Sequence, residues 1–337
     1  MLAHRAHAWR PRPVRRSIAG RPNRLPPPVL AAPLADSVAS SLHTLPDGTR
    51  LELLTAGGGR GSGANPAPPS RPPLLFVHGS GHAAWCWRER FLPHLAADGW
   101  TATAVSLRGR GGSDAPPAGA RAGGTLASHA ADVAHVMAAM EEVYGRSPIV
   151  VGHSFGGLVV QRLLLEAARG AFPSPSGAAL LASAPPSGNS AMVRRIAAAR
   201  GLWFSARLTW GFISRGYAKD AATARLMFFS DALADAEVER YVGLLAANDG
   251  ATPVLDVARL GNETPLPPLG LPPPCPGFVL GGDADAVVDV GALREAAAWL
   301  GAGEPVILPG AGHDVMLDAT WRDAADALGA WAAGVEA

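Results

Sequence analysis

Cysteine is scarce in this chain, apolar runs of membrane-spanning length are absent, and acidic residues are missing from its first 35 positions. Cys86 and Cys275 lie far apart and share no CxxC or metal-ligand spacing, which excludes a disulfide framework and a cysteine-built metal site. Reduced thiols in an intracellular compartment are the expectation. The longest apolar stretches are strand-sized or broken by Gly, Pro or Arg, so no transmembrane helix is expected and the chain reads as soluble. The acid-free start carries seven arginines, Arg5, Arg10, Arg12, Arg15, Arg16, Arg21 and Arg24. Without them 22 basic residues face 28 acidic ones, a balance with no reason to seek nucleic acid.

That arginine-rich, proline-broken start resembles an organellar presequence and lacks the apolar stretch of a secretory signal. Residues 1–39 are therefore expected outside the fold, as a disordered basic tail or a presequence. A chloroplast address is the expectation, with mitochondrion or cytoplasm as alternatives. The remainder, in a chain of 337 residues that is 48% hydrophobic, suffices for a large buried core.

Turn residues Pro46-Asp47-Gly48 between two strand-like runs predict a hairpin. Residues 57–73, rich in Gly, Pro and Ser, predict a surface insertion. Leu74–Val77, Thr101–Leu107, Ile149–Val151, Ala178–Ser183, Gly277–Leu280 and Pro305–Leu308 are short apolar runs of the kind found in buried parallel strands. Trp87–Ala97 and Thr125–Tyr144 between them have helical spacing. Strands alternating with helices predict an α/β protein with a doubly wound, mostly parallel sheet, whose ligand sits at the C-terminal strand ends.

One pentapeptide at such an end carries chemistry. Gly152-His153-Ser154-Phe155-Gly156 follows the run at Ile149 and precedes an amphipathic one from Leu158, and it reads as a nucleophile elbow. Small residues must flank the serine because strand turns sharply into helix. The turn exposes the Ser154 hydroxyl and aims the Phe155 N–H at the atom that serine attacks. With 40 glycines in the chain a chance match is the bland alternative, and the strand–turn–helix context argues against it.

The loop His78-Gly79-Ser80-Gly81-His82-Ala83-Ala84-Trp85-Cys86-Trp87, the elbow, and a late acid and histidine together resemble the α/β-hydrolases. The likeness is to small esterases, a group that includes plant methylesterases and hydroxynitrile lyases. It covers the chain from about Ser40 onward. The resemblance implies an acid after a late strand and a histidine after the last one. His313, in Gly312-His313-Asp314-Val315-Met316-Leu317-Asp318, matches the second, and Asp285, between Gly282 and Val287-Val288, matches the first. Asp283 is the alternative acid, and Asp289 is expected to start the following helix. The resemblance also implies a second oxyanion donor, the backbone N–H of Ser80 beside that of Phe155. His82 and Trp85 either line the substrate pocket or pack the loop.

Residues 187–261, between two core strands, carry large apolar side chains at helical spacing and predict a helical cap, leaving 40–186 and 262–337 as the core. Such a cap predicts a hydrophobic pocket. The implied activity is carboxylic ester hydrolysis of a small hydrophobic substrate, with no cofactor, no metal and no stable membrane insertion. A hydroxynitrile lyase on the same triad is the alternative, favoured by a lysine in the pocket, and Lys219 is the only lysine in the chain. A ligand receptor that keeps the fold without turnover is the other alternative.

Overall fold

Leu74–Val77, Ala102–Val105, Ile149–His153 and Gly177–Leu181 are strands buried at every residue. Continuous apolar runs of this kind need cover on both faces, and each buried Leu, Val or Phe contributes about 1.5–3 kcal/mol. The structure, a computed structural model, describes residues 38–57, 71–248, 250, 252–254, 257–270 and 272–335. The strands are β1 (Val38–Thr44), β2 (Arg50–Ala56), β3 (Leu74–Val77), β4 (Ala102–Val105), β5 (Ile149–His153), β6 (Gly177–Leu181), β7 (Gly277–Gly282) and β8 (Val306–Leu308). They form one sheet in the order β1-β2-β4-β3-β5-β6-β7-β8. β1 and β2 make the expected hairpin, β2 also pairs antiparallel with β4, and every pair from β4 to β8 is parallel.

The helix Leu126–Tyr144 starts where its cap dictates. Thr125 accepts from the Ser128 N–H while the Ser128 hydroxyl accepts from the Thr125 N–H, a reciprocal box that satisfies two donors at a helix start. The single helix expected over Trp87–Ala97 is instead two, Trp85–Arg88 and Phe91–Ala97. Pro93 is the cause. It has no N–H for the Glu89 carbonyl and its ring would strike that carbonyl, so a continuous helix cannot pass this point. The helix after the elbow begins at Phe155, as the turn at Ser154 requires.

The chain leaves β3 for β4 on one side of the sheet and later re-enters at β5 on the other side of β3. That reversal opens a crevice at the C-terminal ends of β3 and β5, the place where sheets of this kind hold ligands. Between β6 and β7 the chain runs through helices Asn189–Arg200, Leu202–Ile213, Ala221–Phe228, Asp235–Asn248 and Val257–Glu263. The last of them passes residue 261, the expected end of the excursion. The expected presequence and most of the expected insertion lie outside the described residues. The insertion does not extend to Pro73, however: Pro72 and Pro73 are buried, and the Pro73 carbonyl accepts from the Ile149 N–H at 2.8 Å.

Candidate active site

Ser154 occupies the single residue between β5 and the helix Phe155–Ala168, with φ 53° and ψ −119°. A non-glycine residue held there costs on the order of 1–3 kcal/mol, which the surrounding contacts must supply. They leave no room for side chains. A Cβ on Gly152 would lie 2.5 Å from the Gly156 carbonyl oxygen, and one on Gly156 would lie 2.4 Å from that of Val77. The elbow is thus wedged against β3, and Phe155, as the first helical residue, has an N–H without an intrahelical acceptor.

His313 reaches Ser154 from the loop after β8. Its Nε2 lies 2.9 Å from Ser154 Oγ, and its Nδ1 lies 2.8 Å from Asp285 Oδ2, on the loop after β7. The other oxygen of Asp285 accepts from the Val287 and Val288 N–H groups at 2.7 and 2.9 Å, which fixes the carboxylate in its loop. Burial pushes the His313 pKa down, but the Asp285 carboxylate, its hydrogen bond and the Asp314 charge more than offset this and hold it above its ordinary value. Asp283 turns away and accepts from the Gly310 N–H at 2.6 Å, while Asp289 caps the helix Val290–Leu300 through the Ala292 N–H.

A second layer of buried polar groups holds the loops after β3 and β8 together. His82 donates from Nδ1 to the Ser80 carbonyl at 3.0 Å, and its Nε2 lies 2.8 Å from Asp314 Oδ2. Asp314 is fully buried; burial raises its pKa, but His82, His153 and His313 together pull it below the usual value. His153 donates from Nε2 to the His313 carbonyl at 3.1 Å. His78 donates to the Gly79 carbonyl and accepts from the Leu107 N–H, a neutral tautomer that joins the ends of β3 and β4. Asp318 accepts from Gly312 and Ser230 N–H groups, so the turn carrying His313 is tied at its base.

Ser154 opens onto a cavity of about 550 Å³. Leu158, Met192, Ile196, Leu208, Phe212 and Val288 make its wall apolar, and Ser80 and Phe155 stand beside the serine. Arg110 and Arg215 also reach it. A cavity of this size accommodates a small organic molecule. Two groups among the described residues stand close enough to share a cation, His153/His313/Asp314 and the exposed His94/Asp98/Asp326. In the first, His153 and His313 already spend the relevant nitrogens on a carbonyl, Ser154 and Asp285; in the second, His94 Nε2 is engaged by Asp326 at 2.6 Å.

A family model described as "Alpha/beta hydrolase family" matches residues 74–327. The chain belongs to that family. Within this α/β-hydrolase, one stretch of 85 residues is 40% identical to "Probable esterase PIR7A" of Oryza sativa subsp. indica, covering 25% of this chain and 30% of the rice protein. The chain therefore aligns with under a third of that relative's length. A thermophilic esterase from Thermogutta terrifontis superposes with a TM-score of 0.59 at 22% identity, over 89% of this chain and 99% of that one. An epoxide hydrolase from Vigna radiata does so with a TM-score of 0.62 at 16% identity, over 88% and 98%. Likeness at that level carries the fold and leaves the chemistry to the site.

The sequence-nominated residues of this α/β-hydrolase fall into two sets. Ser154, His313, Asp285, Phe155 and Ser80 converge on one end of the sheet. His82 and Trp85 do not belong to the described cavity wall: both are buried, stacked on each other with ring centroids 5.7 Å apart, and His82 is committed to Asp314 and Ser80. They pack the loop because both nitrogens of His82 have inward partners. The pairing of Asp314 with His82 and most of the cavity-wall residues escaped the sequence reading. The latter had a signal: Val193 and Ile196, then Ser205, Leu208, Thr209 and Phe212, recur at helical spacing.

Proposed function

We propose that the protein is a serine ester hydrolase acting on small hydrophobic carboxylic esters. The observation that carries this is the relay Ser154 Oγ–His313 Nε2 at 2.9 Å and His313 Nδ1–Asp285 Oδ2 at 2.8 Å, opening onto an apolar cavity. A serine hydroxyl is a weak nucleophile until a base takes its proton. His313 takes it as Ser154 Oγ bonds to the ester carbonyl carbon, and the resulting oxyanion is held by the Phe155 and Ser80 N–H groups. His313 then protonates the leaving alkoxide as the ester C–O bond breaks, giving the alcohol and an acyl-serine. Water, deprotonated by the same imidazole, attacks the acyl carbon and releases the acid and free Ser154. Asp285 holds the Nδ1–H tautomer and stabilises the imidazolium formed in each half.

The helices between β6 and β7 act as a cap that supplies most of the cavity's apolar wall and so selects the hydrophobic ester. The lyase alternative gains no support from Lys219. That side chain is exposed, donates to the Ser214 carbonyl, and does not belong to the described cavity wall. Labelling with a fluorophosphonate, read by intact mass, tests the proposal. One adduct on the unaltered chain, none on Ser154→Ala and slowed labelling on His313→Ala are expected, together with turnover of a panel of esters graded by acyl size. An unlabelled chain that turns over no ester refutes it.

A further inference from the structure

The helix Leu202–Ile213 is apolar on two sides, and its cavity-facing side explains only one of them. Inward, Leu208 and Gly211 are buried, and a Cβ on Gly211 would lie 2.4 Å from Met227 Sδ, so this side is seated tightly on the helix Ala221–Phe228. Outward, Leu202 is 80%, Trp203 78%, Trp210 67% and Ile213 69% exposed. Among the described residues seven large hydrophobic side chains are exposed, and five of them, counting Val193 on the preceding helix, lie within residues 193–213. Scattered exposed apolar residues need no explanation, but a concentrated patch marks a surface that is covered in use.

Charge identifies what covers it. Residues 189–219 hold Arg194, Arg195, Arg200, Arg207, Arg215 and Lys219 and no acidic residue, on a body whose overall balance is acidic. Arg195 is paired with Asp289, but Arg194, Arg200 and Arg207 are exposed and make no ion pair with a described residue. Arg207 sits four residues after Trp203 and three before Trp210, on the same outward stripe. Tryptophan and aliphatic side chains interleaved with arginines on one helix face are what an interfacial helix needs. The rings and methyls enter the headgroup region while the guanidinium groups meet lipid phosphates. A symmetric contact with a second copy would set these arginines against themselves, so self-association is disfavoured.

The patch is also continuous with the cavity. Val193 and Ile213 belong to both, being exposed on the outside and part of the cavity wall. We propose that the outer face of these two helices docks on anionic phospholipid bilayers and that the cavity draws its ester from the bilayer. The second half rests on the ester-hydrolase reading above. No helix among the described residues is long and apolar enough to cross a membrane, and the proposed contact is made by the outer face alone. Docking sets the apolar rim of the cavity against the acyl region, and a hydrophobic ester passes to Ser154 without crossing water.

The test uses the full chain carrying Ser154→Ala, floated with vesicles of phosphatidylcholine alone or with about a quarter phosphatidylglycerol. Flotation with the anionic vesicles and about tenfold less with the neutral ones is expected. Trp203→Ala with Trp210→Ala lowers the affinity at least about tenfold and abolishes quenching of tryptophan fluorescence by brominated lipid. Exchanging Arg194, Arg200 and Arg207 for Gln weakens it on the order of fivefold per arginine. With Ser154 restored, the tryptophan pair leaves hydrolysis of a water-soluble ester unchanged and slows that of a bilayer-dissolved ester by about tenfold or more. Absence of flotation overturns the proposal, as does flotation undiminished by the helix variants, which would assign it to the N-terminal arginines. Light scattering that shows a dimer lost with the tryptophans also overturns it. Flotation by a chain that hydrolyses no ester of either kind overturns the catalytic reading alone and leaves the docking surface standing.

Discussion

Asp285→Asn should stop catalysis while leaving the fold intact, for a reason visible in the hydrogen bonds. One oxygen of Asp285 accepts two backbone N–H groups, from Val287 and Val288, and the other accepts the His313 Nδ1–H. An asparagine keeps its carbonyl oxygen on the two N–H donors, because its amide nitrogen cannot accept from them. The NH2 group then faces His313, whose Nδ1 must become an acceptor. The imidazole proton moves to Nε2 and points at Ser154 Oγ, so the base has no lone pair for the serine proton. Loss of the correct tautomer and of the carboxylate that stabilises the imidazolium costs about 10⁴-fold in kcat, equivalent to about 5.5 kcal/mol. Asp283→Asn is the matched control. Among the described residues its carboxylate accepts only from the Gly310 N–H, an exposed contact that an amide oxygen reproduces, so kcat should stay within about threefold. Steady-state hydrolysis of a water-soluble ester, with thermal unfolding of each variant alongside, makes the comparison. Retention of more than about a tenth of kcat by Asp285→Asn, or an equal loss in Asp283→Asn, would refute this account of the relay.

His313 binds its proton more tightly than a free histidine, because the Asp285 and Asp314 charges outweigh its burial, and only the deprotonated ring can act as base. The acid limb of kcat/KM should therefore inflect above about 6.5, and the stability this group lends, full below that pH, should fade as pH rises through its folded value. Burial holds His78 and His153 down to about 3, the second also through its neighbour His313, so both resist protonation in the folded state. Their stabilising contribution is complete above about 6.5 and declines as pH falls, by about 1.4 kcal/mol per pH unit for each, measurable by urea unfolding at stepped pH. Asp314→Ala leaves the buried His82 Nε2 without its hydrogen-bond partner and should cost about 1–3 kcal/mol in the same assay. Gly157→Ala places a Cβ 2.1 Å from Ser183 Oγ and should destabilise by about 1–3 kcal/mol, seen as a lowered Tm.

The legible part of this protein was written in neighbouring residues. Three to five consecutive apolar side chains bounded by turn residues suit a short strand buried on both faces, which is why β3, β5 and β6 could be read before any contact was known. Gly152 and Gly156 around Ser154 announce a backbone that tolerates no side chain, and Thr125 announces a helix start. Family likeness extended that reading to His313 and Asp285, since each follows the end of a strand. Helix Trp87–Ala97 was misread locally, because apolar spacing hid the steric veto of Pro93.

Tertiary structure decided what depends on residues that are distant in the chain. Nothing near His82 marks Asp314 as its partner, 232 positions away, and without that pair the ring looks free to face a substrate. The cavity wall joins residues from the strand ends with one face of helices between β6 and β7, and no local pattern states which face turns inward. Lys219 and the tryptophans Trp203 and Trp210 lie outside because the helix faces beside them are filled, one by Met227 against Gly211. Backbone sterics and hydrophobic period act between neighbours and so are encoded in order. The pairing of buried polar groups and the division of an apolar helix into inner and outer faces depend on which surfaces meet, and packing in three dimensions alone determines that.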